Sequence, residues 1–130
     1  MPGSILIIDD HEDNRELLRL MLGVDGYTIR EASNGREGVE MALAEQPDLV
    51  LVDLSMPGLD GWGVLRELRA DPRTRATTCI AVSAFADSAR AQALSLGFDA
   101  YLTKPFRNKD LMETVGRFLK LKREARGQRV

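Results

Sequence analysis

The sequence predicts an α/β fold: a doubly wound, five-stranded parallel sheet with strand order 2-1-3-4-5. Three features predict it. Short β-rich apolar runs recur along the chain, the intervals between them carry helical periodicity, and four of the five runs end on a reactive polar side chain. Alternation of this kind builds right-handed βαβ units, and the polar residues ending those four runs dress one edge of the resulting sheet.

The first run, Ile5 to Ile8, ends in Asp9-Asp10. Leu17, Leu18, Met21 and Leu22 then repeat at helical spacing until Gly23 and Gly26 stop the helix. Tyr27 to Ala32 is the second strand; Tyr27 and Ile29 alternate with Thr28 and Arg30, so one side meets water and an edge position is expected. Asn34 with Glu37 reads as a capping box opening a helix to about Gln46, with Val39, Ala42 and Leu43 inward and Pro47 as its stop.

Leu49 to Val52 is apolar throughout, as a central strand covered on both faces should be, and runs directly into Asp53. After the loop Ser55-Met56-Pro57-Gly58-Leu59, Asp60 caps a helix with Val64, Leu65 and Leu68 inward, closed by Pro72. Thr78 to Val82 is the fourth strand, ending at Ser83. Asp87 is expected to cap a helix carried by Ala89, Ala93, Leu94 and Leu96, with Gly97 past its end. Ala100 to Thr103 is the fifth strand and meets Lys104-Pro105. Asn108 opens a last helix with Leu111, Met112, Val115, Phe118 and Leu119 on one face. An open sheet of this kind is flavodoxin-like.

The 130 residues, 44% apolar and 29% charged, fit one domain and exclude a disordered or collagen-like chain. The folded unit is expected to span 1–121, with a basic, frayed tail over 122–130. The single thiol, Cys79, cannot form an internal disulfide, and the longest aliphatic runs are too short for a membrane span or signal core, which reads as a cytoplasmic protein without a membrane partner. Charge is unevenly distributed: residues 1–103 carry 9 basic and 17 acidic side chains, residues 104–130 carry 9 and 3. The basic end lacks interleaved aromatics, so a solvated helix face is expected there rather than nucleic-acid binding.

In the 2-1-3-4-5 order, the four strands ending in Asp9-Asp10, Asp53, Ser83 and Lys104 are contiguous, and their groups gather at the carboxyl edge where open α/β sheets bind ligands. Three gathered carboxylates repel one another and call for a cation. An all-oxygen set with few carboxylates suits Mg²⁺, with Mn²⁺ as a substitute. Lys104 and Ser83 suit an anion, as point charge and hydroxyl donor, and a phosphoryl group beside the metal satisfies both. Asp53, on the central strand between the acid pair and the lysine, is then the nucleophile.

The segments Ile-Leu-Ile-Ile-Asp9-Asp10, Leu-Val-Leu-Val-Asp53-Leu-Ser-Met-Pro57-Gly58-Leu-Asp-Gly61, Val82-Ser83-Ala84 and Tyr101-Leu-Thr-Lys104-Pro105-Phe106 resemble the receiver domain of two-component response regulators over almost the whole chain. The resemblance implies a (βα)5 receiver fold and a phosphoryl transfer to Asp53 from a histidine kinase or phosphotransfer protein. It implies Mg²⁺ on Asp10, Asp53 and the Ser55 backbone carbonyl, with Asp9 acting largely through water. It also implies Ser83 and Tyr101 as switch residues, Lys104 paired with the phosphoryl group, and a cis Lys104-Pro105 bond. A downstream protein would read the surface of helix four, strand five and helix five, with the chain a monomer or a phosphorylation-dependent dimer. Such a chain is a signalling switch that assists its own phosphorylation and dephosphorylation rather than an enzyme. Ser83 stands where threonine is commoner. Ser55 and Phe85 hold positions that tune dephosphorylation. With no output domain following, the resemblance implies a stand-alone regulator or an excised receiver.

Singly, these residues have plainer readings. Asp10 could cap helix one, Ser83 could be a loop hydroxyl and Lys104-Pro105 a turn. His11 reads as a solvated loop residue rather than a ligand or phosphoacceptor. Cys79 reads as a core or near-surface thiol, Trp62 as a packing residue, and Met21, Met41 and Met112 as core fillers. Among other functions, a haloacid-dehalogenase-type hydrolase would need an acid where Ser55 stands, and a flavodoxin-like redox protein would need a phosphate-binding loop where Asp-Asp-His-Glu-Asp stands. The main rival is a pseudo-receiver that binds partners without carrying phosphate.

Overall fold

The computed structural model describes residues 3–84 and 89–127. Five strands, β1 (Ser4–Ile8), β2 (Thr28–Ala32), β3 (Leu49–Asp53), β4 (Thr78–Ser83) and β5 (Ala100–Thr103), alternate with α1 (Glu12–Gly23), α2 (Gly35–Glu45), α3 (Gly61–Ala70), α4 (Arg90–Leu96) and α5 (Asn108–Gly127). Every strand pair is parallel and the order is β2-β1-β3-β4-β5, as the sequence predicts.

The apolar pattern explains the layering. All five residues of β3 are buried, while β2 alternates between exposed and half-buried positions at the sheet edge. One face of the sheet (Leu6, Ile8, Val50, Val52, Ala81) packs against Val39 and Ala42 of α2, Val64, Leu65 and Leu68 of α3 and Ala93 of α4. The other face (Ile5, Ile7, Leu49, Leu51, Ile80) packs against Leu18 and Leu22 of α1 and Leu111, Val115 and Leu119 of α5. With both faces covered, the strand ends are the places left for chemistry.

The caps follow the local chemistry. The Asn34 side chain accepts the Glu37 N–H at 2.8 Å, and Glu37 accepts the Ser33 N–H at 2.9 Å. Asp60 accepts the Gly63 N–H at 2.9 Å. Asp10 does not cap α1: the N-cap is His11, with no side-chain cap bond, because Asp10 lies one residue too early.

Three further expectations are corrected. In α4 only Ala93 is buried, and Leu94 and Leu96 are 43% and 56% exposed. Phe98, just past the helix, fills that core and meets Trp62 edge-on, with ring centroids 6.0 Å apart. Leu17 of α1 is likewise half exposed. The helix α5 continues to Gly127, past the boundary expected at residue 121, and Lys122 Nζ donates to the Asp48 carbonyl at 2.8 Å. The expected cap Asp87 and the departure at Phe85 lie outside the described residues.

At the amino edge of the sheet, Arg69 of α3 ties together the segments leading into β4 and β5. Its guanidinium donates to the Thr77, Arg75 and Gly97 carbonyls at 2.6, 3.0 and 2.9 Å and to Asp99 Oδ2 at 3.1 Å, and the same Asp99 oxygen accepts the Cys79 N–H at 2.8 Å. Cys79 is 1% exposed, and burial pushes its thiol up to about 11 from 9.0. The folded protein therefore keeps this proton above the pH at which the unfolded chain releases it, so stability falls as pH rises beyond 9.0. Iodoacetamide at about pH 8 should leave the native thiol unmodified and alkylate it in denaturant. The loss of stability in alkali, read by urea titration, should be smaller in Cys79→Ala.

Candidate functional site

Two of the strand ends make the same local turn. Beyond β1, Asp9 Oδ1 accepts the His11 N–H at 2.8 Å; at the end of β3, Asp53 Oδ1 accepts the Ser55 N–H at 2.9 Å. In each case a carboxylate bonds the backbone two residues on, an Asx turn that fixes the side chain and bends the chain off the sheet. Arg15 of α1 donates from Nη1 to the Asp9 carbonyl at 2.7 Å, anchoring that turn from the helix.

Glycine sets the approach of the next helix to β3. A Cβ on Gly61 would stand 2.5 Å from the Asp53 carbonyl oxygen and 2.7 Å from Leu54 Cα, so α3 begins in direct contact with the backbone that carries Asp53. The preceding Gly58 has φ +73°, a left-handed conformation that glycine adopts without strain.

From the far side of β4, Lys104 reaches the acids. Its Nζ lies 3.2 Å from Asp53 Oδ2 and 3.5 Å from Asp9 Oδ2. Its backbone N–H donates to the Ser83 carbonyl at 2.7 Å, which holds the ends of β4 and β5 together, and the Lys104-Pro105 peptide bond is cis, as expected. Ser83 is fully buried, paired in register with Thr103 and one step past Val82, the partner of Asp53. Tyr101 is buried with the Arg90 guanidinium 5.1 Å from its ring centroid, and Arg90 also donates to the Tyr101 carbonyl at 3.3 Å. Its hydroxyl is buried without a hydrogen-bond partner among the described residues.

The charges do not balance. Asp9 and Asp53 are buried and Asp10 is half-buried, yet Lys104 is the cation in contact with Asp9 and Asp53. Asp10 Oδ1 is buried and makes no hydrogen bond among the described residues. Donor atoms of Asp9, Asp10, His11 and Asp53 all lie within 4.8 Å of one another. An oxygen-rich group with an unsatisfied buried carboxylate oxygen fits a hard divalent cation.

The sequence-predicted acids and Lys104 thus converge, with Ser83, Tyr101 and Pro105 on the β4 and β5 side of them. Ser55 joins through its N–H, a contact the sequence reading missed although the Asx-turn signal was there to find. Arg15 was missed because nothing in its helical spacing distinguishes it. His11 is 65% exposed, as a loop residue should be, yet its Nδ1 stands 3.2 Å from Asp10 Oδ1 and 3.5 Å from Asp9 Oδ1.

The model of the response regulator receiver domain matches residues 5–116. The chain belongs to the receiver domain family. This receiver domain is 33% identical to the polar-differentiation response regulator DivK of Brucella anthropi over 120 residues, covering 92% of the chain and 98% of DivK. It is 34% identical to the response regulator PleD of Caulobacter vibrioides over 139 residues, and 38% identical to the transcriptional regulatory protein ResD of Bacillus subtilis over 118 residues. Those matches cover 100% and 90% of this chain but only 31% of PleD and 48% of ResD. A response regulator receiver domain protein of Clostridium thermocellum superimposes with a TM-score of 0.86 at 27% identity, covering 95% of this chain and 98% of that one. The receiver domain of a Pseudomonas aeruginosa sensor histidine kinase, solved with a magnesium ion coordinated in its active-site cleft, gives 0.83 at 30% identity, covering 91% and 98%. The family is one of two-component signalling proteins rather than of classical enzymes, and no helix among the described residues of this receiver domain is long and apolar enough to cross a membrane.

Crowded carboxylates set the stability of the site. In EDTA, Asp53→Asn should raise the urea midpoint, worth about 1 kcal/mol, by removing one of the repelling charges. Lys104→Met should lower it by about 1–3 kcal/mol, less than for a fully buried pair because the ammonium is partly solvated.

Proposed function

We propose that Asp53 accepts a phosphoryl group from a histidine kinase or phosphotransfer protein in the cytoplasm, in a Mg²⁺-dependent reaction that resets the α4, β5 and α5 surface for a downstream protein. The observation that carries this reading is the Lys104 ammonium 3.2 Å from Asp53 Oδ2, beside further carboxylates in excess of the positive charge at that strand edge.

Asp10, Asp53 and the Ser55 carbonyl would hold Mg²⁺, with Asp9 acting through water. When bound, the ion supplies charge neutralisation for the phosphoryl oxygens. The Ser55 N–H holds Asp53 Oδ1 and so fixes the orientation of the carboxylate. A carboxylate oxygen of Asp53 attacks phosphorus; the bond from phosphorus to the donor imidazole breaks, and its electron pair stays on the nitrogen, which takes a proton from solvent. Lys104 pairs with the incoming charge, so no proton moves within the site and the work is positioning and electrostatic stabilisation. Hydrolysis reverses the state when water attacks phosphorus and the Asp53 oxygen leaves as carboxylate.

The phosphoryl group brings about two negative charges and three acceptor oxygens. The Ser83 hydroxyl donates to one of them from the adjoining strand end. Tyr101, already buried beneath Arg90, closes behind it, and the change passes to the surface shared by α4, β5 and α5. An apolar groove of about 400 Å³ beside Lys104, lined by Leu17, Leu18, Pro105 and Phe106, offers the phosphodonor protein a seat next to the acceptor.

Incubation with Mg²⁺ and acetyl phosphate or phosphoramidate should add one phosphoryl group by intact mass, and Asp53→Asn should abolish it. A normal yield in the variant moves the acceptor elsewhere. No yield in either protein, with either donor, favours a module that binds partners without carrying phosphate, and turnover of a phosphate ester favours a hydrolase.

A further inference from the structure

We infer that His11 supplies a nitrogen ligand to the cation held by the acidic cluster, widening the margin by which the site takes borderline first-row divalent ions such as Co²⁺ and Zn²⁺ over Mg²⁺. The inference rests on the proposed reading of this cluster as a metal centre.

The spacing of His11 from its two neighbouring carboxylates is that of ligands around one ion. Atoms bound at about 2.0–2.2 Å to a common ion lie about 3.0–3.5 Å apart at tetrahedral or octahedral angles. His11 Nδ1 is 3.2 Å from Asp10 Oδ1 and 3.5 Å from Asp9 Oδ1. The shorter contact is not a hydrogen bond, since Asp10 Oδ1 is buried with no such partner. One ligand atom from each of Asp9, Asp10, His11 and Asp53 falls within 4.8 Å of the others, so the group is three carboxylates and one imidazole rather than an all-oxygen set.

The backbone of His11 is already held. Its N–H donates to Asp9 Oδ1 at 2.8 Å and its carbonyl accepts the Arg15 N–H at 3.2 Å, so only the side-chain torsions need be fixed on binding. The ring is 65% exposed and can be reached without opening the fold. Imidazole binds Zn²⁺, Co²⁺ and Ni²⁺ well, whereas Mg²⁺ keeps oxygen ligands and its waters. A nitrogen donor at this position therefore strengthens one class of ion and leaves the other nearly untouched. His11 is the only histidine in the chain, and the only thiol, Cys79, is buried in the second residue of β4, away from the strand end that carries Asp53.

The untagged 130-residue chain and its His11→Ala variant, checked for folding by circular dichroism, would be titrated with Mg²⁺ and Zn²⁺ by calorimetry and with Co²⁺ by visible absorption. Co²⁺ and Zn²⁺ should bind His11→Ala about tenfold more weakly or worse, with Mg²⁺ affinity changed less than about twofold. His11→Gln, which keeps the bulk of the side chain, should behave like His11→Ala. Equal losses for all three ions would make His11 a structural support of the loop and overturn the inference. So would unchanged Co²⁺ and Zn²⁺ affinity alongside intact Mg²⁺ binding, which leaves the phosphoacceptor reading standing. Absence of Mg²⁺ binding to the wild-type protein would overturn both.

Discussion

Repulsion among carboxylates held at close quarters is the constraint around which this molecule is arranged. Asp9 and Asp53 are withdrawn from water at the ends of β1 and β3, and Asp10 adjoins them. In a medium less polarisable than water their repulsion is costly, and the cost is reduced by whatever positive charge the fold can bring. Lys104 brings one such charge across β4. What remains uncompensated is an excess of negative charge at one strand edge, the demand on which the proposed cation and phosphoryl chemistry rests.

The sheet makes that crowding possible. Parallel strands all deliver their carboxyl ends to one side, and helices on both faces close every other approach. The acids come from β1 and β3, and the lysine from the end of β5 with β4 between. No local segment contains the site; it exists only once four adjacent strands are in register. Folding and the assembly of the charged cluster are therefore the same event. The Arg69 clamp at the opposite edge, joining α3 to the segments leading into β4 and β5, secures the register from the far end.

Most of this was legible in the sequence because it rests on patterns with short physical periods. Apolar β3 and alternating β2 announced centre and edge, and the polar residue ending each central strand announced the reactive rim. Helix α4 was misread for a reason. Leu94 and Leu96 look like core residues, but seven residues of helix leave room for one buried contact, and Phe98 beyond Gly97 takes the space. The basic residues past 121 were read as frayed because charge argues for solvent, whereas α5 carries Lys122 to the Asp48 carbonyl. The approach of His11 to the acids could not be read at all, since it depends on a side-chain torsion and on where the Asx turn at Asp9 points the next two residues. The switch roles of Ser83 and Tyr101 came from family resemblance alone, and their burial, Ser83 at the end of β4 and Tyr101 within β5, is what the fold adds.

Gly61 shows how a position that touches no reactant can still be closed to variation. Its α-carbon sits so near the Asp53 carbonyl and the Leu54 backbone that no side chain fits without displacing the strand that carries Asp53. In a saturation library scored for signalling, this codon should stand out as sharply as those for the acids themselves. An activity map alone would mistake it for part of the chemistry; a thermal-stability map of the same variants would separate the two, since loss of a carboxylate here relieves the fold and loss of this glycine burdens it.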